Sequence, residues 1–464
     1  MRNRPLDLSN AHGSLLEKDR QERLAWQTAN PPPANGRDTR LTTLYAKGSP
    51  TCALDHSDLA DAIDALLEAH PTAQRILAIP PDHTRLPSRA GELTCLLAAR
   101  AGSRLKDVLP ALGTHQPMNA GQLMMMFPSL PLELVREHRW RTDVVDVGTV
   151  PADFVAETTD GRWTRPWPAQ LNRLVCHGGH DLIVSLGQVV PHEVIGMANY
   201  SKNLFIGTGG FAGIHESHFL SALCGMEQTM GRADTPLRRI LNYAEQHFCR
   251  DLNLAYVFTV IESLKDGTLV TRGLFVGNDY ATFKQAADLA QQCNIISLDP
   301  PPQRIVCYLD PTEFHSTWLG NKAIYRTRMA IADDGELIIL APGVQTFGED
   351  SKIDQLIRRH GYQTTPAILE AVARDPELAS NLSAAAHLIH GSSEGRFRVT
   401  YAPGILSRDE IQSVGYQHAA LEPLLSRYPV DSLTDGYHED HDGQPFYFIR
   451  NPALGLWANR SRLA

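Results

Sequence analysis

The feature that most constrains this chain is an alternation of two hydrophobic periods. Short apolar runs such as RILAIP (75–80) and DLIVSL (181–186) stand between longer stretches, SDLADAIDALLEA (57–69) and AGELTCLLAARAG (90–102) among them, whose apolar residues recur every three or four positions. A short apolar run bounded by turn residues suits a fully buried strand, and the longer spacing suits a helix laid against it. Strands and helices taken in turn predict an α/β fold with mostly parallel sheets.

The alternation begins at Ser57 and continues through strand DVLPAL (107–112) and helix NAGQLMMMF (119–127). A second series starts near Leu254. LAYVFTVIE (254–262) and GTLVTRGLFV (267–276) read as two strands joined by a tight turn. Helix TFKQAADLAQQC (282–293), strand RIVCYL (304–309), helix NKAIYRTRMAI (321–331) and strands ELIILAPG (336–343) and RFRVTYAPG (396–404) follow. A chain of 464 residues exceeds one ordinary domain. We therefore expect an extended N-terminal arm over 1–50, where TANPPPANGRDTR excludes helix and central strand, an N-terminal α/β domain over 51–265 and a C-terminal α/β domain over 266–464. The site is expected in the cleft between the two domains. The stretch YHEDHDGQPFYFI (437–449) has no regular period, and its acidic part suits a solvated loop better than a metal site.

Composition narrows the function classes. A net charge of −9, with no basic stripe interleaved with aromatics, argues against a nucleic-acid partner. No apolar window is long enough to span a membrane, and the first residues lack a signal-peptide pattern, so a cytoplasmic protein is expected. The seven cysteines include no CxxC pair, which favours reduced thiols over disulfides or a thiolate zinc site.

Ligands of an open parallel sheet bind beyond the carboxyl ends of its strands, where helix N-termini present free N–H groups. Three polar clusters fall there: Asp82, His83, Thr84 and Arg85; Thr114 and His115; Gln188 and His192. Each alone could be a hydrogen-bonded loop residue, and Arg85 could form a surface ion pair. Together they point to a site, with Arg85 as a planar fork for a carboxylate or phosphate. Farther on come Lys202, GTGGFAG (207–213) and HESH (215–218). The glycines match neither the dinucleotide fingerprint nor the phosphate loop, and HESH lacks the spacing of HExxH.

In order, DHTR, GTHQPM, PH, Lys202 and His218 resemble the lactate racemase family of nickel-pincer-nucleotide enzymes. The likeness covers most of 75–345 and includes WLGNKAIYRTRMAI with GELIILAPG. It implies a nickel-pincer nucleotide (pyridinium-3-thioamide-5-thiocarboxylic acid mononucleotide with Ni(II)) attached at Lys202, with His218 completing the metal's square plane, a donor set that suits Ni(II). It further implies His115 and His192 as acid and base, Arg85 and Lys322 on the substrate carboxylate, and Asp82 and Thr84 on the cofactor side. Partners would be a small 2-hydroxy acid and, transiently, the cofactor-assembly enzymes.

Two positions depart from the family pattern. Asn199 and Tyr200 stand before Lys202 where small residues are usual, and Leu319 stands where lactate enzymes commonly carry glutamine. The second departure shifts the expected substrate from lactate towards a longer, aldonate-type polyhydroxy acid. The expected activity is racemisation or epimerisation at C2 by reversible hydride transfer. A racemase of lactate or another short 2-hydroxy acid by the same mechanism and a non-catalytic sugar-acid-binding paralogue stand as alternatives. The missing dinucleotide fingerprint counts against a nicotinamide dehydrogenase. His83, His215, His177, His180, Trp318 and Tyr325 are expected to make structural contacts.

Overall fold

The computed structural model describes residues 43–264 and 267–463. Most of the expected arm thus lies outside the described residues, but Thr43–Gly48 forms an edge strand. The described residues form one compact unit.

The first sheet runs Thr43–Gly48, Leu269–Gly277, Leu254–Ser263, Leu182–Gln188, Ile76–Ile79 and Leu105–Val108. Its last four strands are parallel, and the first two add antiparallel to one edge. Every residue of Ile76–Ile79 is buried, as continuous apolar runs between two helical layers require. On one face lie helices His56–Ala69 and Ala90–Ala101. The first is started by a capping box in which Asp55 and Asp58 satisfy each other's backbone N–H groups.

The division expected at residue 265 falls inside a hairpin. Leu254–Ser263 and Leu269–Gly277 pair with each other, and both belong to the first sheet, as does the helix Tyr280–Asn294 that packs on them. Sequence periodicity identifies a strand but carries no information about which sheet it joins.

The second sheet runs Gln417–His418, Arg398–Pro403, Glu336–Ala341, Arg304–Tyr308, Pro445–Ile449 and Gly436–Glu439. All neighbours are parallel except the last pair, an antiparallel hairpin made from the stretch without a regular period. At its turn Asp440 is buried and paired with Arg427 and Arg304, so this acidic segment is an anchored turn. Helix Leu382–His390 of this half packs directly on helix Phe211–Cys224, which follows the loops of the first sheet.

Candidate active site

Past strand Ile76–Ile79 the chain turns at Pro80 and Pro81 into a short 3-10 helix, His83–Ser88, capped by Asp82. One Asp82 oxygen accepts the Thr84 N–H at 3.0 Å and the Thr84 hydroxyl at 2.5 Å. The other lies 2.6 Å from His115 Nδ1. The Asp82 side chain is 4% exposed and that of His115 55%, so the carboxylate is the buried anchor and the imidazole the reaching part. Burial raises the Asp82 carboxyl, but the bonds from His115 and Thr84 outweigh it and hold the group below its ordinary value. Asp82 and Thr84, expected on the cofactor side, are thus bonded to each other, and Asp82 orients His115.

Strand-like pairing continues beyond Leu105–Val108 through Leu109 N–H to Ala78 O and Ala111 N–H to Pro80 O, which carries the chain to His115. Gly113, at φ +57°, then donates to Gly207 O at 2.9 Å and ties this loop to the segment after Lys202. His192 lies in a two-residue ladder, Pro191–His192 against Gly196–Met197. Its Nδ1 accepts the Val194 N–H at 3.1 Å, so the neutral ring carries its proton on Nε2. Burial, then the nearby Lys202, Arg85 and Arg326, depress its pKa against the opposing pull of Glu193.

Lys202 leads into a π-helical turn, Asn203–Gly207, a geometry frequent at functional sites. Before it, Asn199 and Tyr200 both sit in the left-handed region, at φ +71° and +58°. Arg238, fully buried, holds that turn: it donates to Met197 O at 2.5 Å, and to Asn199 O and Ser201 Oγ at 3.0 Å each. Its guanidinium lies 4.5 Å from the centre of the Phe283 ring. The Lys202 ammonium makes no hydrogen bond or ion pair with a described residue, and burial, followed by the Arg85 charge, lowers it to about 8.

His218, on helix Phe211–Cys224, donates Nδ1–H to Ile214 O at 2.7 Å. Nε2 therefore keeps its lone pair, as a metal ligand must. Burial lowers its pKa, and it feels the charges of Glu193 and Lys202. Lys322 opens helix Lys322–Thr327 in the second half, and burial lowers its pKa too. Arg85 is exposed, forms no ion pair with a described residue, and contributes to the field at His192, Glu193, Lys202 and Lys322.

The common counterion of these groups is Glu193, which sequence reasoning missed. It pairs with Arg326 at 3.4 Å, across the two halves, and its charge stabilises protonated His192, Lys202, Lys322 and His218. Its only sequence signal is its place beside His192. Also missed is His390, at the end of helix Leu382–His390, buried and within reach of the Glu193 and His218 charges.

His83, His180 and His215 have partners within the fold. His83 Nε2 meets Gln122 at 2.9 Å, and His180 Nε2 meets Asp107 at 2.9 Å. His215 stacks on Phe211 and lies 3.3 Å from Ser383 Oγ. Trp318 packs on His387, with ring centroids 4.3 Å apart, and Tyr325 is buried. The cysteines are all free thiols. No group of three or more His, Cys, Asp or Glu is gathered for a metal among the described residues, and no described helix is long and apolar enough to cross a membrane.

Loops at the carboxyl edge of a parallel sheet gather imidazoles, cations and the carboxylates of Asp82 and Glu193, a candidate small-anion site on the first half of an α/β protein, and the Glu193 charge reaches Lys322 and His390 of the second. Residues 53–231 match the family described as the lactate racemase N-terminal domain. No curated protein matches the chain in sequence. Solved structures share its fold, two of which are the following. A Thermotoga maritima protein aligns with a TM-score of 0.71 at 22% identity, over 89% of this chain and 100% of its own. The lactate racemase apoprotein of Thermoanaerobacterium thermosaccharolyticum aligns with a TM-score of 0.65 at 15% identity, over 91% of this chain and 96% of its own.

Proposed function

We propose that this protein is a racemase or epimerase acting at C2 of a 2-hydroxy acid, the class to which the family match and the likeness to a lactate racemase apoprotein point. The observation that carries the reading is the pair His115 and His192. One is reached out on a buried carboxylate, and the other has Nδ1 committed to its own backbone, so each offers a single nitrogen, Nε2. Enantiomers of a 2-hydroxy acid present their hydroxyls in opposite directions, and inversion at C2 needs one proton-transfer group for each. Arg85 and Lys322, cations without a described ion-pair partner, suit the substrate carboxylate. Glu193 keeps the cluster from carrying only positive charge.

The C2 hydrogen is too weakly acidic for an imidazole to remove as a proton. A nickel-pincer nucleotide attached at Lys202 and ligated by His218 supplies, when bound, an acceptor for that hydrogen as hydride. The residues present fit such a group: a lysine amine that deprotonates near neutrality and an imidazole whose free nitrogen is fixed by its tautomer. His115 and His192 then take or return the hydroxyl proton while Arg85 and Lys322 hold the carboxylate. Leu319 in place of a polar residue favours a longer polyhydroxy acid over lactate.

Intact-mass and nickel analysis of protein made together with cofactor-assembly enzymes tests this directly. A Lys202 adduct with about one nickel per chain is expected, and epimerisation in heavy water should leave C2 unlabelled. An unmodified Lys202 under conditions that load a lactate racemase, or full solvent labelling at C2, would sink the reading.

A further inference from the structure

His390 and His387 sit one turn apart on the same helix, 8% and 7% exposed. His387 is provided for, since Nε2 meets Tyr362 Oη at 3.0 Å and its ring packs on Trp318. His390 is not. Its Nε2 is buried and meets no hydrogen-bond partner among the described residues; its nearest aromatic neighbour is Tyr325, edge-on at 6.3 Å between centroids. A buried polar atom without a partner is rare and costly, and points to a partner that arrives from outside.

The surrounding chain holds His390 firmly in this position. Gly391 packs so closely that a Cβ there would lie 2.4 Å from Tyr362 and 2.6 Å from Asn321 Nδ2, and Asn321 is the residue before Lys322. Tyr416 Oη donates to Gly391 O at 2.9 Å and accepts from Asn321 Nδ2 at 3.0 Å, while Arg328 donates to Ser392 O at 3.2 Å. The segment is thus pinned to the helix that begins with Lys322. Its own helix packs on the one bearing His218. His390 therefore lies where the second half packs on the His218 helix, within reach of the Glu193 and His218 charges.

Resting on the racemase reading, we propose that His390 is a specificity-determining residue whose Nε2 hydrogen-bonds an oxygen substituent of the substrate beyond C2, the 3-hydroxyl of a polyhydroxy acid. The carboxylate already has Arg85 and Lys322, and the 2-hydroxyl has His115 and His192. What remains of the substrate extends from C3. A substrate with a methyl group at C3 leaves the buried imidazole unpaired, so the site discriminates by about ten- to a hundredfold.

Glycerate and lactate differ by that one oxygen and make the test pair for holoenzyme. The wild type should favour glycerate in kcat/KM. In His390→Leu the glycerate-to-lactate ratio should fall about ten- to a hundredfold, mainly through KM, and His390→Gln, whose Nε2 can reach the same point, should keep most of it. An unchanged ratio in His390→Leu overturns the proposal. So does loss of the Lys202 adduct in that variant, which would assign His390 to the cofactor. If His390→Leu does not fold, His390→Phe is compared in its place. If loaded wild type turns over neither acid, His390 is judged by calorimetry on the apoprotein, separately from the racemase reading, which stands or falls with the Lys202 adduct. Glycerate binding weaker in His390→Leu than in wild type supports it, and equal affinities overturn it.

Discussion

An ammonium buried among other cations releases its proton early, and Lys202 is held in that way, at about 8. Only the neutral amine is nucleophilic, so at pH 7 about one chain in ten is ready for attachment, far more than for an ordinary lysine. Labelling of the apoprotein with an amine-selective reagent, followed by peptide mapping, should give a Lys202 midpoint near pH 8 while surface lysines titrate near their ordinary value. The same depression predicts a stability effect with a definite sign. Between the folded and unfolded pKa values, roughly pH 8 to 10.5, the unfolded chain binds the extra proton, so stability rises with pH across that window. Lys202→Met should therefore raise the Tm at pH 7 by on the order of 2–4 °C, and the advantage should fade as the pH passes from 8 to 10. Asp82 orients His115, and Asp82→Asn keeps the shape but loses the charge that holds the imidazole. We expect kcat of the holoenzyme to fall about 10²-fold or more with little change in KM.

At the scale of elements, the turn before Lys202 shows why two large residues stand where small ones are usual. Asn199 and Tyr200 are both left-handed, which is strained for a non-glycine residue and persists only where the surroundings over-determine it. Arg238 supplies three bonds to that turn, and Tyr200 packs against Tyr256 and Phe283, at 4.7 and 5.3 Å between centroids. Arg238→Met should cost about 3 kcal/mol or more in urea unfolding, because the Met197 and Asn199 carbonyls lose a charged donor inside the core. It should also return the Lys202 labelling midpoint towards that of a solvated lysine as the turn loosens. None of this could be read from ANYSK, since the clamp arrives from 36 residues downstream. Ile76–Ile79 and Leu182–Gln188 were legible because burial on both faces demands an unbroken apolar run. Gly436–Glu439 was not, because an antiparallel edge strand needs no apolar period and its sequence, GYHE, has none. In the site, His115 and His192 could be found because they stand just after strands. Glu193 and His390 are defined by what they face, and a linear pattern does not record that.

Across the whole molecule, the two sheet systems are joined by charge as well as by helix packing. Glu227, from the first half, receives Arg328 at 3.2 Å, Arg396 at 2.5 Å and Arg462 at 3.8 Å, while Glu193 receives Arg326. Arg396 and Arg462 also pair with Asp333, at 2.9 Å each, but Arg328 has no second ion pair among the described residues, and its side chain, 5% exposed, cannot reach water to recover its solvation when Glu227 is neutralised. Glu227→Gln should therefore destabilise the protein by about 3 kcal/mol, whereas Asp234→Asn, which breaks the exposed pair with Arg239, should change stability by less than about 1 kcal/mol. The two outcomes separate a structural tie from surface decoration. Because Arg328 follows the Lys322 helix and also holds Ser392, loosening it should be felt where the halves meet at the site. Amide exchange in Glu227→Gln should accelerate over 322–331 and 387–392 and stay unchanged over Ile76–Ile79. Uniform acceleration would show instead that Glu227 supports global stability without holding the second half against the first.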